Sequence, residues 1–171
     1  AQSSLEVSYN ELSEYTQTLH KALSTNYPKY YDIGLKNKNG EYQQLNTHLL
    51  QIENEFYSAI RPKRTSASGE TPIHALQERG VEYIEVRCVD VNPLLPCGID
   101  EETICFLDTF LLFCLLQDSP KTNSTESAYI STNISRTVYS GRDPELTLLQ
   151  NGTEVLLREW GASLIDQMAP V

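Results

Sequence analysis

The sequence lacks the glycine-rich loops that mark the common nucleotide-binding folds. It has 8 glycines in 171 residues, and none falls in a P-loop, a G-x-G-x-x-G fingerprint or a G-x-S-x-G nucleophile elbow. These absences argue against a P-loop ATPase, a Rossmann dehydrogenase and an α/β-hydrolase. The chain has 3 histidines, His20, His48 and His74, and they are too scattered to predict a metal triad.

Basic residues and long apolar runs are also scarce. The 13 Lys and Arg residues face 23 Asp and Glu, which gives a net charge of −10 and argues against a nucleic-acid partner. The longest apolar run, residues 103–117, is interrupted by Asp108 and is too short to span a bilayer, so we expect no membrane partner. No signal segment opens the chain, which begins with Ala1 instead of Met, so we expect a processed product or a fragment.

The four cysteines do not have zinc-finger spacing. Cys88, Cys97, Cys105 and Cys114 are separated by seven or eight residues. Three of them lie in apolar segments, so we predict buried free thiols. Free thiols predict a reducing compartment, the cytoplasm.

Hydrophobic periodicity predicts an α+β fold with antiparallel pairing. Helical spacing of Leu12, Tyr15, Leu19 and Leu23 indicates a first helix capped by Ser8. The remaining predicted elements are a hairpin around 36–42, a strand from 49, a mobile loop at 65–71, a helix at 71–80, a strand at 81–91, an apolar helix at 101–118 buried on most sides, a helix within 127–145 and a C-terminal helix. Strands and helices do not alternate regularly, so we expect one antiparallel sheet with flanking helices in a single domain spanning 1–171.

The predicted strand "GVEYIEVRCVDVNP" carries two opposite charges on one face. Alternation places Glu85 and Arg87 together, and Ile84, Val86 and Cys88 on the opposite, core-facing side. The two charges form either a structural ion pair or a site. In a site, the carboxylate would bind a hard cation such as Mg²⁺ and the guanidinium would bind phosphate, which suits ATP with its metal.

A basic cluster stands out in this acidic chain. The segment "YSAIRPKR" contains Arg61, Lys63 and Arg64. The cluster is either a solvated loop or the cationic edge of a polyphosphate-binding site.

Two stretches closely resemble proteobacterial-type glutamate–cysteine ligase: "LLQIENEFYSAIRPKR" and "GVEYIEVRCVDVNPLLPCGIDEETICFLDTFLLFCLL". The resemblance extends over nearly the whole chain and is weakest after Leu149. It implies a part of a glutamine-synthetase-like funnel, an antiparallel sheet with helices outside. It also implies ATP- and Mg²⁺-dependent ligation of the glutamate γ-carboxylate to cysteine through γ-glutamyl phosphate, the first step of glutathione synthesis.

The resemblance also implies roles for individual residues. Glu85 matches a metal-ligand glutamate, Arg87 an arginine that contacts the transferring phosphate, and Tyr57 a tyrosine of the cysteine-binding region. Arg61, Lys63 and Arg64 lie on a shared "IRPKR" motif, for which we expect phosphate binding. The small-molecule partners would be glutamate, cysteine and ATP.

Family members are far longer, and this chain corresponds to a C-terminal portion. The glutamates that supply most metal ligands lie in the N-terminal half of the family, which is missing here. We therefore expect a partial catalytic domain with no ligase activity by itself. The alternative is a stand-alone, non-catalytic module that keeps the fold and binds a nucleotide or a protein.

Overall fold

The computed structural model describes residues 5–169, which fall into two compact units divided between Asp90 and Val91. The prediction of a single domain over 1–171 stays a prediction. The elements of the first unit are α1 (Leu12–Ser24), α2 (Pro28–Ile33), a 3₁₀ turn (Glu53–Glu55), β1 (Ile60–Lys63), α3 (Pro72–Arg79) and β2 (Tyr83–Val86). Those of the second are α4 (Glu101–Leu116), α5 (Ser124–Ser140), β3 (Thr147–Gln150), β4 (Thr153–Leu156) and α6 (Leu157–Met168).

The core of the first unit forms around α1. The predicted stripe is confirmed, because Tyr15 and Leu19 are buried and Leu12 and Leu23 pack against them. Buried partners come from the chain after α1 and from α3, namely Leu50, Phe56, Ile73 and Leu76. The predicted cap was wrong: the N-cap is Glu11, and the Ser8 hydroxyl instead donates to the Glu14 carboxylate at 2.6 Å.

The segment before β1 departs from the predicted strand. The hairpin expected at 36–42 is reduced to a single antiparallel bridge between Lys36 and Tyr42. The strand expected from residue 49 begins only at Ile60. Side chains in this segment compete with strand pairing for the backbone: the Gln51 amide donates to the Glu55 carboxylate at 2.6 Å, which favours the 3₁₀ turn.

β1 and β2 form a two-stranded antiparallel sheet, with Arg61 opposite Glu85 and Lys63 opposite Tyr83. The strand predicted over 81–91 is therefore shorter than expected. Its predicted core face was also wrong, since Ile84 and Cys88 are exposed. Among the described residues, too few side chains pack against this two-stranded sheet to bury both of its faces.

The loop at 65–71 is held to α3 by one carboxylate. Glu70 accepts two hydrogen bonds from Arg79, at 2.8 and 2.7 Å, one from the Ala67 amide at 2.8 Å and one from His74 at 3.0 Å. Arg79 also donates to the Thr65 carbonyl at 3.1 Å. The predicted mobility of this loop stays a prediction, and these contacts favour an ordered loop.

The second unit contains a hairpin that the sequence analysis missed. Asn151 (φ 52°) and Gly152 (φ 81°) both adopt left-handed backbone conformations in the two-residue turn between β3 and β4. Such a turn favours Asn-Gly, because both central residues need positive φ. The Asn133 side chain on α5 donates to the Leu149 carbonyl at 2.9 Å and accepts from its amide at 2.8 Å, which fixes α5 on the hairpin. The predicted C-terminal helix is confirmed as α6.

The apolar helix α4 is far less buried than predicted. Only Phe113 among its residues is buried. The prediction of buried thiols was wrong as well, because Cys88, Cys97, Cys105 and Cys114 are all free and exposed. Both predictions required other residues to pack over these segments, and the described residues do not cover them. No helix within residues 5–169 is long and apolar enough to cross a membrane.

We predict that Leu50→Ala destabilises the first unit. The Leu50 side chain is 0% exposed, and its removal leaves a cavity between α1 and α3. The expected loss in the free energy of unfolding is about 2–5 kcal/mol, measured by urea denaturation of the purified chain. Ile52→Ala, at an exposed position nearby, is the matched control and should lose much less. Equal losses would contradict this assignment of the core.

We also predict a pH-dependent contribution from Glu70. The pKa of the Glu70 carboxyl lies well below its ordinary value, and the hydrogen bond from the Arg79 guanidinium contributes most to this decrease. A lowered folded-state pKa stabilises the fold above the unfolded value of about 4.3, and this contribution is lost as pH falls through the folded pKa.

The stability difference between wild type and Glu70→Gln should therefore shrink from about pH 6 to about pH 3 in urea titrations. Glu78→Gln, at an exposed position of α3, serves as the control. A difference that is constant over this range would show that the Glu70 carboxylate does not stabilise the loop through its charge.

Candidate functional site

Antiparallel register brings the charged side chains of β1 and β2 to one face. Arg61 lies directly opposite Glu85, and Lys63 lies two residues further along β1 on the same side. Arg87 follows β2, and its amide donates to the Ala59 carbonyl at 2.8 Å, so the pairing continues past the strand ends. We call Arg61, Lys63, Glu85 and Arg87 the charged face.

Glu85 is the single carboxylate among the three cations of this face. Its Oε1 atom lies 3.0 Å from Arg87 Nη2, and its Oε2 atom lies 3.7 Å from Lys63 Nζ. The hydrogen bond from Arg87 lowers the pKa of the Glu85 carboxyl, the charges of Arg87, Lys63 and Arg61 lower it further, and partial burial opposes them. Glu85 is therefore held ionised. Its Oε2 atom is buried, accepts no hydrogen bond and has Lys63 as its ion-pair partner.

Tyr57 contacts Arg87 from the segment that leads into β1. Its hydroxyl donates to the Arg87 carbonyl at 3.3 Å, and the guanidinium carbon lies 5.9 Å from the ring centroid. This distance is at the outer limit of a cation–π contact. The structure therefore brings together Tyr57, Glu85 and Arg87.

Arg61 is a buried cation, with 5% of its surface exposed. Its neighbour is Tyr15 of α1. The pKa of the Tyr15 hydroxyl is raised, mainly by burial and secondly by the nearby Tyr9. The charge of Arg61 and a hydrogen bond with it act in the opposite direction and lower this pKa. The Nε atom of Arg61 is buried without a hydrogen-bond partner. Sequence reasoning placed Tyr15 on the core stripe, but no local signal linked it to Arg61, 46 positions later in the chain.

Arg64 points away from the charged face. Its Nε atom lies 3.7 Å from Glu82, and its Nη1 atom donates to the Arg79 carbonyl at 2.9 Å. The three basic residues of "IRPKR" therefore have different surroundings. Arg61 contacts the core, Lys63 lies near Glu85, and Arg64 joins the start of β2 to the end of α3.

A pocket of about 400 Å³ lies beside β1. Its lining includes all three basic residues of the motif and Thr65 and Ser66, together with the carboxylate Glu53 and apolar side chains of α1 and α3. Cations and hydroxyl groups around a concavity suit an anionic ligand such as phosphate. Because Thr65 accepts from Arg79 and donates its amide to Glu82 at 2.9 Å, this side of the pocket is well supported.

The described residues cannot form a complete magnesium site. No group of three His, Cys, Asp or Glu side chains within residues 5–169 is arranged to hold a metal ion. Mg²⁺ requires octahedral oxygen coordination, and the ionised Glu85 carboxylate suits one of those positions. Any further protein ligands would come from outside the described residues.

A family model described as glutamate-cysteine ligase matches residues 1–137. The chain belongs to the glutamate–cysteine ligase family. The glutamate–cysteine ligases of Pseudomonas fluorescens and Saccharophagus degradans are 49% and 51% identical to it, and both alignments cover the whole chain. Each alignment covers only 32% of the relative, so this chain spans about a third of their length.

A solved structure agrees with this assignment. The glutamate–cysteine ligase of Francisella tularensis, crystallised in complex with AMP, matches 98% of this chain with a TM-score of 0.92 at 39% identity. The match covers 34% of the Francisella chain. The close superposition confirms the α+β fold class and the resemblance found in the sequence.

We predict that Arg87→Met raises the pKa of Glu85. The substitution removes the group that lowers this pKa most and leaves partial burial opposed only by Lys63 and Arg61. Carbon-13 NMR titration of the glutamate carboxyl groups measures the change. Arg158→Met, at an exposed arginine of α6, should leave the Glu85 pKa unchanged. An unchanged value in Arg87→Met would contradict the pairing.

Proposed function

We propose that this chain supplies part of the catalytic site of an ATP-dependent glutamate–cysteine ligase. The complete enzyme would join the γ-carboxylate of L-glutamate to the amine of L-cysteine, the first step of glutathione synthesis. ATP would phosphorylate the γ-carboxylate, and the cysteine amine would then displace phosphate from γ-glutamyl phosphate. The observation that carries this proposal is the ionised Glu85 held between Arg87 and Lys63 in a chain of this family.

Arg87 would stabilise the phosphoryl group during transfer. Its guanidinium is about one-third exposed and is oriented by both Glu85 and Tyr57. An oriented guanidinium can donate to two phosphate oxygens at once and offset the charge that they carry in the transition state. Phosphoryl transfer depends mainly on such positioning and charge stabilisation.

Glu85 would provide one carboxylate ligand to Mg²⁺. Its low pKa favours the ionised form that a hard cation requires, and its Oε2 atom has no competing hydrogen bond. Mg²⁺, when bound, would neutralise charge on the phosphate oxygens. The remaining protein ligands would lie in the N-terminal half of the complete enzyme.

Tyr57 would contribute to the cysteine site. Its ring is mostly exposed, and its hydroxyl lies at the Arg87 backbone, so a substrate bound against the ring would lie next to the phosphoryl position. Proximity of this kind favours attack by the cysteine amine.

Arg61, Lys63 and Arg64 would bind phosphate through the pocket beside β1. Because their surroundings differ, the three residues would contribute in different ways. Lys63 lies beside both the pocket and Glu85, so it suits direct contact with the polyphosphate of ATP. The Francisella relative is described in complex with AMP, which supports a nucleotide as ligand. Arg61 would supply a fixed positive charge, and Arg64 would mainly hold the pocket wall through Glu82.

The isolated chain would lack ligase activity, because its one magnesium ligand and its phosphate-binding groups form an incomplete site. We place the complete enzyme in the cytoplasm, where four free thiols remain reduced. A stand-alone module that binds nucleotide without catalysis is the competing proposal. It predicts no activity even when the rest of a ligase is attached.

A chimera tests the proposed function. This chain replaces the aligned third of the Pseudomonas fluorescens ligase, to which it is 49% identical over 171 residues. We expect formation of γ-glutamylcysteine that depends on ATP. Arg87→Met should lower kcat by on the order of 10²–10³ while the exposed control Arg158→Met has little effect. An inactive, folded chimera, or one that is indifferent to Arg87→Met, would contradict the proposal.

The same chimera tests the metal assignment. Glu85→Gln removes a charged oxygen ligand and should raise the Mg²⁺ concentration for half-maximal activity about ten-fold or more. Even substitution of a residue that only hydrogen-bonds to a metal ligand weakens metal binding by about 10–100-fold. Glu78→Gln, at an exposed position of α3, is the control. If Glu85→Gln lowered kcat without changing the Mg²⁺ dependence, Glu85 would act only by orienting Arg87.

A further inference from the structure

Helix α5 packs its polar side inward. Asn133 exchanges two hydrogen bonds with Leu149 of β3, and Arg136 donates to the Thr147 carbonyl at 3.0 Å. Arg136 also forms a bidentate pair with Glu154 of β4, at 2.7 and 3.0 Å. The face of α5 that meets the hairpin is therefore made of an amide and a guanidinium.

The opposite side of α5 is apolar and exposed. Ile130, Ile134 and Val138 follow each other at intervals of four residues, so they form one stripe along the helix. Ile134 is 58% exposed and Val138 is 72% exposed. An ordinary surface helix has the reverse arrangement, with its apolar stripe on the core and its polar side in water.

Helix α4 has the same excess of exposed apolar surface. Its acidic residues are confined to the first turn and Asp108, and apart from Thr103 and Thr109 the rest is apolar. Helices of this kind are normally buried. Here Leu112, Leu115 and Leu116 are exposed, Leu115 by 79%.

We propose that this apolar surface of α4 and α5 is the docking surface for the rest of the ligase polypeptide. The third of the Francisella ligase that this chain matches has the same fold, with a TM-score of 0.92, inside a chain about three times as long. In the longer proteins the counterparts of these two helices therefore belong to a chain that contains a large additional polypeptide. An isoleucine stripe and a leucine-rich face would bury against apolar side chains of that polypeptide.

A second copy of this chain is a poorer occupant. Each copy carries a net charge of −10, so association of two copies would be opposed by repulsion. The proposal depends on membership of the family but on none of the catalytic assignments to Arg87, Glu85 or Tyr57.

Co-expression tests the docking surface. The untagged chain is produced together with an affinity-tagged Pseudomonas fluorescens ligase from which the aligned third is deleted. We expect the wild-type chain and the control Ser140→Asp to co-purify with it, because Ser140 is an exposed polar residue of the same helix that is not three, four or seven residues from any member of the apolar stripe. Ile134→Asp should be retained at least ten-fold less. Equal retention of the three chains, or retention of none, would overturn the proposal.

Two further measurements test the surface without relying on a variant and test whether a second copy occupies it. Amide hydrogen exchange needs no variant: exchange over residues 130–138 of the wild-type chain should slow at least ten-fold in the complex, and unchanged exchange would overturn the proposal. Sedimentation of the chain alone should show a monomer, whereas a dimer that Ile134→Asp dissociates would assign the surface to a second copy. The chimera described above is a single covalent chain, so its activity does not depend on this association.

Discussion

The antiparallel pairing of β1 with β2 determines the chemistry of this chain. With Arg61 opposite Glu85, one carboxylate lies among two cations of β1 and Arg87, the residue that follows β2. A shift of one residue would turn the β1 cations to the other side of the sheet, away from Glu85. The register is supported by the burial of Arg61 against Tyr15 in the core and by the bonds of Arg64 and Thr65 to Glu82.

The charged face and the exposed helices are two consequences of the same fact. The chain spans about a third of the length of its relatives, and its described residues contain one proposed magnesium ligand, where several are needed, and apolar helices with exposed side chains. Glu85 has an oxygen that accepts no hydrogen bond, and α5 has an apolar stripe that is exposed. Each feature suits a longer polypeptide that adds carboxylates to the charged face and apolar side chains to the exposed helices.

Sequence alone predicted the interactions that depend on neighbouring residues. Glu85 and Arg87 are two positions apart on a strand, so alternation placed them together, and helical spacing identified the buried Tyr15. The contact of Arg61 with Tyr15 could not be predicted, because it joins a strand to a distant helix. The burial of α4 and of the cysteines was predicted wrongly from their apolar composition, because composition does not show whether other residues pack over a segment, and the described residues leave these segments exposed.

The most direct test of the charged face is a double-mutant cycle in the chimeric ligase. The rates of Glu85→Gln, Arg87→Met and the double variant are compared with the unsubstituted chimera at saturating Mg²⁺. If the two side chains act as one unit at 3.0 Å, the double variant should lose little more activity than the worse single variant. Losses that multiply would contradict the account, because they would mean that Glu85 and Arg87 serve the reaction independently.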